Sequence, residues 1–468
     1  MKRVLITGAT GFVGRRLAHH LLDEGYELKA LTRTPDDAAD LAERGAELIE
    51  GSLANSMAIH RALSDVDGIF HLAATHQFGG DMGPMRRINV QGTRNVLQTA
   101  DYAEVSRILY CGSDTSLGDT KGKICDESKE HDGDFRSVYE RTVFETHELI
   151  ERQIDKGAPI INAIVSMPYG PGDTSAIADL ISHHLAGRAV AHLDRHSGFT
   201  FTHVDDIATA LRIAYEKGDV GERYLVSGTP ASSGEFFATL SELTNIPEPR
   251  TDLPDWLVDL MEPLAERLAP AVGKSGAQIR EALAVGRGTT RYYSGQKMRD
   301  EFGWQPRSLE DGLRDSLPWF RQREAEASER LLSSTSIPLV GMSLFDIGLG
   351  TSALVFPETY LQLMHPHASG THPPAARSFL ARTGLLWLFF AFVQGRAGAA
   401  PVDNPEWVLV AGALRLMDVP ADIGYLLSSE DLGLLGKAGL IAAPLFNLGI
   451  GAFLTYAGYR GLRAKLSS

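Results

Sequence analysis

The chain has 468 residues, 44% of them hydrophobic and 22% charged, which excludes a disordered or fibrous protein and exceeds what one hydrophobic core can hold. A formal charge of -14 argues against nucleic acid as a partner, because phosphate binding needs a basic face. Two cysteines, Cys111 and Cys125, are too few for a disulfide framework or a multi-thiolate metal site, so a reducing compartment is the default.

In chain order, Met1 to Gly8 reads as a strand entering a turn rather than as a cleavable secretory leader. Short apolar runs then alternate with amphipathic helical stretches. Val4 to Ile6, Leu28 to Leu31, Gly68 to Leu72, Arg107 to Cys111, Ile160 to Val165 and Tyr224 to Val226 are the expected strands. That alternation predicts an α/β domain over residues 1–330, built on a doubly wound parallel sheet with helices on both faces. Between Leu253 and Leu283 the apolar residues fall at helical spacing among charges, predicting a helical substrate subdomain around residues 230–290 above the carboxyl ends of the strands.

After Arg330 the charges thin out and Gly, Ala, Leu and Phe take over. Four stretches, Ser336 to Phe356, Ser378 to Gln394, Trp407 to Leu427 and Ala438 to Tyr459, predict an all-α four-helix membrane domain over residues 331–468. The last carries no charge, whereas Asp346 interrupts the first and Arg415, Asp418 and Asp422 sit inside the third. A buried helical bundle of a soluble domain is the alternative. Arg321, Arg323 and Arg330 precede the region and Arg460, Arg463 and Lys465 follow it, so an even number of spans places both ends on the cytoplasmic face of a cell membrane. Trp387, Trp407, Tyr425 and Tyr459 suit interfacial anchors.

The strongest local signal is Thr7-Gly8-Ala9-Thr10-Gly11-Phe12-Val13-Gly14, between the first strand and a helix from Arg15 to Leu22. Gly8 permits a tight turn, Gly11 lets the backbone approach a pyrophosphate, and Gly14 lets helix and strand pack closely, while the helix start offers amide donors to the anion. This is the dinucleotide-binding turn of a Rossmann domain. At the end of the next strand an acid would hold the ribose 2'-hydroxyl of NAD; here Arg33 follows Thr32, and a guanidinium suits a 2'-phosphate, which favours NADP over NAD.

These and later motifs together resemble the extended and atypical short-chain dehydrogenase/reductase family, the NAD-dependent epimerase/dehydratase group. The likeness is carried by Thr7 to Gly14, His71-Leu72-Ala73-Ala74, Asn89-Val90-Gln91-Gly92-Thr93-Arg94-Asn95, Tyr169-Gly170-Pro171-Gly172-Asp173, His203-Val204-Asp205-Asp206-Ile207, and Phe302-Gly303-Trp304-Gln305-Pro306 with Leu309-Glu310-Asp311-Gly312-Leu313 behind it. It runs from Met1 to about Trp319 and leaves the hydrophobic tail outside. The resemblance implies that Phe12, Val13, Leu53, Leu72, Ala73, Ala74, Tyr139 and Pro168 line the cofactor beside the three glycines and Arg33, and that Tyr139 transfers a proton while Ser113 orients the substrate oxygen.

Two positions depart from the family. Val143 stands where a lysine four residues after the tyrosine lowers its pKa and holds the nicotinamide ribose, and Ser52 stands where an aspartate meets the adenine. Arg141 is two positions from Tyr139 and faces away on a helix, leaving Lys129 or His131 of the preceding loop as candidate cations. The adjacent pairs His19-His20 and His183-His184 lack the three- or four-residue spacing of a metal face, and His365, His367 and His372 lie among prolines, so no metal is expected. Two functions follow. One is an NADP-dependent oxidoreductase or epimerase acting on a carbonyl or alcohol of a lipophilic substrate at the membrane. The other is a catalytically impaired dinucleotide-binding subunit of a membrane complex. A homo-dimer is compatible with either.

Overall fold

The computed structural model describes every residue except 1, 77–78, 190, 273–274, 365–373, 429–433 and 468; His365, His367 and His372 therefore lie outside the described residues. The chain divides into two compact units, Met1–Phe320 and Arg321–Ser468, a division that falls before the composition break at Arg330.

The first unit contains strands β1 (Arg3–Thr7), β2 (Glu27–Thr32), β3 (Glu47–Glu50), β4 (Gly68–His71), β5 (Ile108–Ser113), β6 (Ile160–Val165), β7 (Pro168–Tyr169), β8 (Gly198–His203), β9 (Arg223–Val226), β10 (Thr229–Ser232) and β11 (Thr290–Arg291). Seven of them form one parallel sheet in the order β3-β2-β1-β4-β5-β6-β9. Its central strands are apolar almost throughout because both faces are covered. Successive side chains serve opposite faces: Val4 and Ile6 join a core with Leu17 and Leu211, whereas Leu5 and Ile69 join one with Ile59 and Val96. Sequence order reverses on either side of β1, between β2 and β4, which opens a crevice at their carboxyl ends.

All six expected strands are present. β3 escaped the reading because it is a short edge strand with a glutamate at each end. A second sheet, β10-β8-β11 with β7 pairing β8, was also not foreseen; its strands are short and β8 alternates threonine with phenylalanine. The expected cap consists of the helices Asp255–Met261, Ala265–Val272 and Gly276–Gly286. The last begins with a capping box in which Ser275 and Gln278 satisfy each other's backbone amides.

The second unit is helical, with long helices Ser336–Val355, Pro374–Ala399, Pro405–Ser428 and Leu434–Ser467 and a short one, Pro357–Met364, that the sequence did not suggest. Two stretches, Leu309–Val355 and Ile441–Lys465, are long and apolar enough to cross a membrane by length and composition, against the four spans expected. The polar interruptions meet each other inside: Arg415 Nη2 lies 2.5 Å from Asp346 Oδ2, and Gln394 bonds both. Arg460, counted above as a flanking charge, pairs with Glu324 at 2.6 Å.

Candidate active site

The glycine turn closes through a bond from Gly11 N to Gly8 O at 3.0 Å. Gly8 has φ +81°, and a Cβ there would stand 2.8 Å from Ala73 N. A Cβ on Gly14 would stand 2.0 Å from Gly8 O, so neither position admits a side chain. Gly11 starts the helix Phe12–Asp23 with no side-chain cap, which leaves the amides of the first turn, Phe12 and Val13 among them, open to an anion.

Polar side chains fix the facing loop. Thr7 Oγ1 meets His71 Nδ1 at 2.7 Å, and His71 Nε2 meets Thr93 Oγ1 at 2.9 Å. Burial lowers His71 to about 4, so the imidazole is neutral and bridges two hydroxyls. Leu72 N donates to Thr7 O and Ala73 N to Thr7 Oγ1, holding Leu72-Ala73-Ala74 against the turn. Cradle and open amides fit a dinucleotide pyrophosphate. Arg33, just past the end of β2, is exposed and makes no hydrogen bond or ion pair among the described residues. Leu53 is held by Asn95 Nδ2 at its carbonyl, 2.8 Å, and Pro168 opens β7, half-buried, just beyond the carboxyl end of β6.

Ser113 is the last residue of β5, and Tyr139 is the second of the helix Val138–Ile154, whose start is capped by Ser137. Burial raises the Tyr139 phenol above its usual range; Asp114 and Cys111 add to this, while the nearby Ser113 hydroxyl and the Arg291 guanidinium oppose it. The resting group is therefore a neutral phenol, an acid ready to donate. The His76 ring stands edge-on to Tyr139 with centroids 4.3 Å apart. Asn89, in a π-helical turn over Arg87–Gly92, donates to Thr142 Oγ1 at 3.0 Å and exchanges bonds with the Thr75 backbone. It thereby ties the loop after β4 to the tyrosine helix.

Val143 is buried and supplies no charge. Arg141 is exposed and faces Glu145, as its spacing predicts. Of the two loop candidates, Lys129 turns away, its Nζ donating to Leu117 O at 3.1 Å, and His131 stacks on Phe135 and meets Glu140. The group that does reach the site is Arg291, bonded to Thr115 Oγ1 at 3.2 Å. Asp114, which the sequence reading passed over, is buried and pushed up to about 6. The helix Gly276–Gly286 and the residue after it are tied to this edge. Gly79 N donates to Glu281, and Arg136, three residues before Tyr139, donates to Arg287 O at 2.8 Å.

Ligand atoms of His203, Asp205 and Asp315 come within 4.8 Å of one another. Arg16 takes Asp205 and Arg307 takes Asp315, so guanidinium groups account for the cluster without an ion. The histidine pairs diverge as expected: His19 meets Asp40 whereas His20 accepts from Arg212, and His184 bonds Thr244.

Sheet order, glycine cradle and the Ser113–Tyr139 pair define a dinucleotide-dependent enzyme of the Rossmann class. The NAD dependent epimerase/dehydratase family matches residues 4–227. Sterol demethylase protein B of Methylococcus capsulatus is 30% identical over 330 residues, covering 68% of this chain and 98% of its own. A 2-alkyl-3-oxoalkanoate reductase of Stenotrophomonas maltophilia is 25% identical over 324 residues, covering 67% and 97%. Among solved structures, gox2253 is 31% identical with a TM-score of 0.59, covering 69% of this chain and 99% of that one. The chain belongs to the NAD dependent epimerase/dehydratase family and is an oxidoreductase or epimerase of the short-chain dehydrogenase/reductase type.

Proposed function

We propose that the chain is an NADP-dependent oxidoreductase acting on a carbonyl or alcohol group of a lipophilic substrate at a membrane. The observation that carries the chemistry is Ser113 at the carboxyl end of β5 acting on the buried phenol of Tyr139, on the same parallel sheet whose β1 leads into the glycine cradle. When bound, the nicotinamide supplies or takes the hydride. In reduction the neutral Tyr139 phenol gives its proton to the carbonyl oxygen; in oxidation the residue must first ionise, and the phenolate then takes the proton of the alcohol. Ser113 hydrogen-bonds the same oxygen and fixes its direction. Arg33, exposed and without a partner among the described residues, supports NADP as the cofactor.

The membrane reading is supported by a bundle that buries a paired set of polar side chains within its apolar core and turns large apolar side chains outward. Asp346, Gln394 and Arg415 are buried, while Leu344, Phe345, Leu385, Phe392, Leu445 and Phe446 are exposed. Helix contacts are made at glycines: a Cβ on Gly350 would stand 2.7 Å from Gly384 O, and one on Gly458 2.3 Å from Leu409 N. Close packing of this kind substitutes for hydrophobic drive between helices in lipid. The names of relatives that act on sterols and on alkyl oxoalkanoates support a lipophilic substrate.

The test is turnover of sterol ketones and 3-oxo lipids by the full chain in detergent with NADPH. Tyr139→Phe is expected to lower turnover by about 100- to 10,000-fold with cofactor affinity near the parent value. Unchanged turnover in that variant would sink the assignment. Tight NADPH binding without turnover in the parent would favour the second reading prompted by Val143, a cofactor-binding subunit of a membrane complex.

A further inference from the structure

Val143 sits one turn after Tyr139 with 5% exposure, so the tyrosine helix brings no cation to its phenol from that side. The tertiary structure supplies one from far along the chain. β11 holds only Thr290 and Arg291, and it pairs in parallel with β8 through Arg291 opposite Phe199. That pairing carries the Arg291 side chain, 3% exposed, to the junction of β5 with the tyrosine helix. Its Nη1 donates to Thr115 Oγ1 at 3.2 Å, two residues beyond Ser113 and 176 residues away in sequence. Its Nη2 lies 3.5 Å from Glu140 Oε1, on the residue next to Tyr139. Nε and Nη2 are buried without a hydrogen-bond partner among the described residues.

We propose that Arg291 is the positioning cation of Tyr139, standing in for the lysine absent at position 143. The inference rests on Tyr139 being the proton-transfer group. A guanidinium keeps its charge in a closed site where a buried ammonium readily loses it, so arginine suits this position. The other groups facing the phenol are Tyr110, Cys111 and Ser113 from β5, Asp114 from the turn that follows it, His76 from the loop after β4, and Glu140 from its own helix. Cys111 is held as a neutral thiol by burial, and Asp114 and Glu140 are acids that oppose a phenolate. Glu140 is drawn away by Arg136 N at 2.7 Å and His131 Nε2 at 3.4 Å. Arg291 is thus the side chain among these neighbours with a fixed positive charge and free N–H groups to offer.

The experiment places fluorotyrosine at position 139 of the full chain in detergent and follows its ionisation by fluorine NMR, without cofactor or substrate. The fluorinated phenol is more acidic and brings the titration into reach. Arg291→Gln is expected to raise the midpoint by about one pH unit or more and to move the pH profile of alcohol oxidation upward by a similar amount. Arg291→Lys, whose ammonium is lost more readily on burial, should leave both between the parent and Arg291→Gln, and Val143→Lys added to Arg291→Gln should move both back toward the parent. An unmoved midpoint in a folded Arg291→Gln protein overturns the proposal, since Arg291 then serves only as counter-ion to Glu140. A raised KM with an unmoved pH profile overturns it too, by making Arg291 an anchor for substrate. If Arg291→Gln does not fold, Thr115→Val frees Nη1 from its acceptor and is expected to raise the midpoint; no movement there also overturns the proposal. The titration needs no turnover, so it stands apart from a failure of the proposed reaction.

Discussion

Two alanines placed three residues apart should separate folding from cofactor binding. On Gly14 the new methyl would lie 2.0 Å from Gly8 O and 2.8 Å from Gly8 C, which are backbone atoms of the turn itself. Neither can swing aside, so the helix Phe12–Asp23 must retreat by more than an ångström from β1. Overpacking of this sort costs about 1–3 kcal/mol, and a backbone clash belongs at the upper end. For a large domain that corresponds to about 2–4 °C of melting temperature per kcal/mol. On Gly11 the methyl would meet only Gly8 O, at 3.3 Å, and φ of -78° suits any residue. Gly11→Ala should therefore melt within about 0.5 kcal/mol of the parent. It should nevertheless bind NADPH at least tenfold more weakly, a loss of about 1.4 kcal/mol, because the methyl occupies the pyrophosphate approach. Gly14→Ala should lose both stability and affinity. Fluorescence titration with NADPH and thermal melts of the two proteins check this. Parental melting and affinity in Gly14→Ala would refute the close helix–turn contact, and parental affinity in Gly11→Ala would refute the placement of the pyrophosphate.

Arg33→Ala should erase a preference for NADP(H) over NAD(H) by removing charge-assisted bonds worth about 1.5–3 kcal/mol; calorimetric titration giving equal affinities in the parent would end the NADP assignment. Burial pushes the Asp114 carboxyl to about 6 from 3.8, so the folded chain holds that proton more tightly than the unfolded one. Its contribution to stability is complete below about pH 4 and is lost as pH rises through about 6, up to about 3 kcal/mol. Asp114→Asn should therefore melt higher than the parent above pH 6 and about level with it near pH 4; equal gains at both would contradict the burial argument. The full chain should stay with membranes through carbonate washing, whereas release as a soluble protein would make the second unit a globular bundle.

Local chemistry made much of this protein legible from sequence. The glycine turn is a property of eight consecutive residues, since each glycine is required by atoms a few positions away: Gly14 meets Gly8 itself. The six expected strands were found because a strand buried on both faces must be apolar along its length. The four long hydrophobic helices followed in the same way from composition. What the sequence left open depended on neighbours supplied by distant segments. β11 is two residues long and has no periodicity to read, yet its pairing with β8 brings Arg291 to the tyrosine helix, where it joins His131 at Glu140, while Lys129 turns to a loop carbonyl. Asp114 looks like any turn aspartate until the fold buries it and lifts its carboxyl. Asp346 and Arg415 count as interruptions of two separate helices until packing brings them to 2.5 Å. Backbone conformation is settled within a few residues, but the worth of a charge is set by its burial and its partners, and only tertiary structure fixes those.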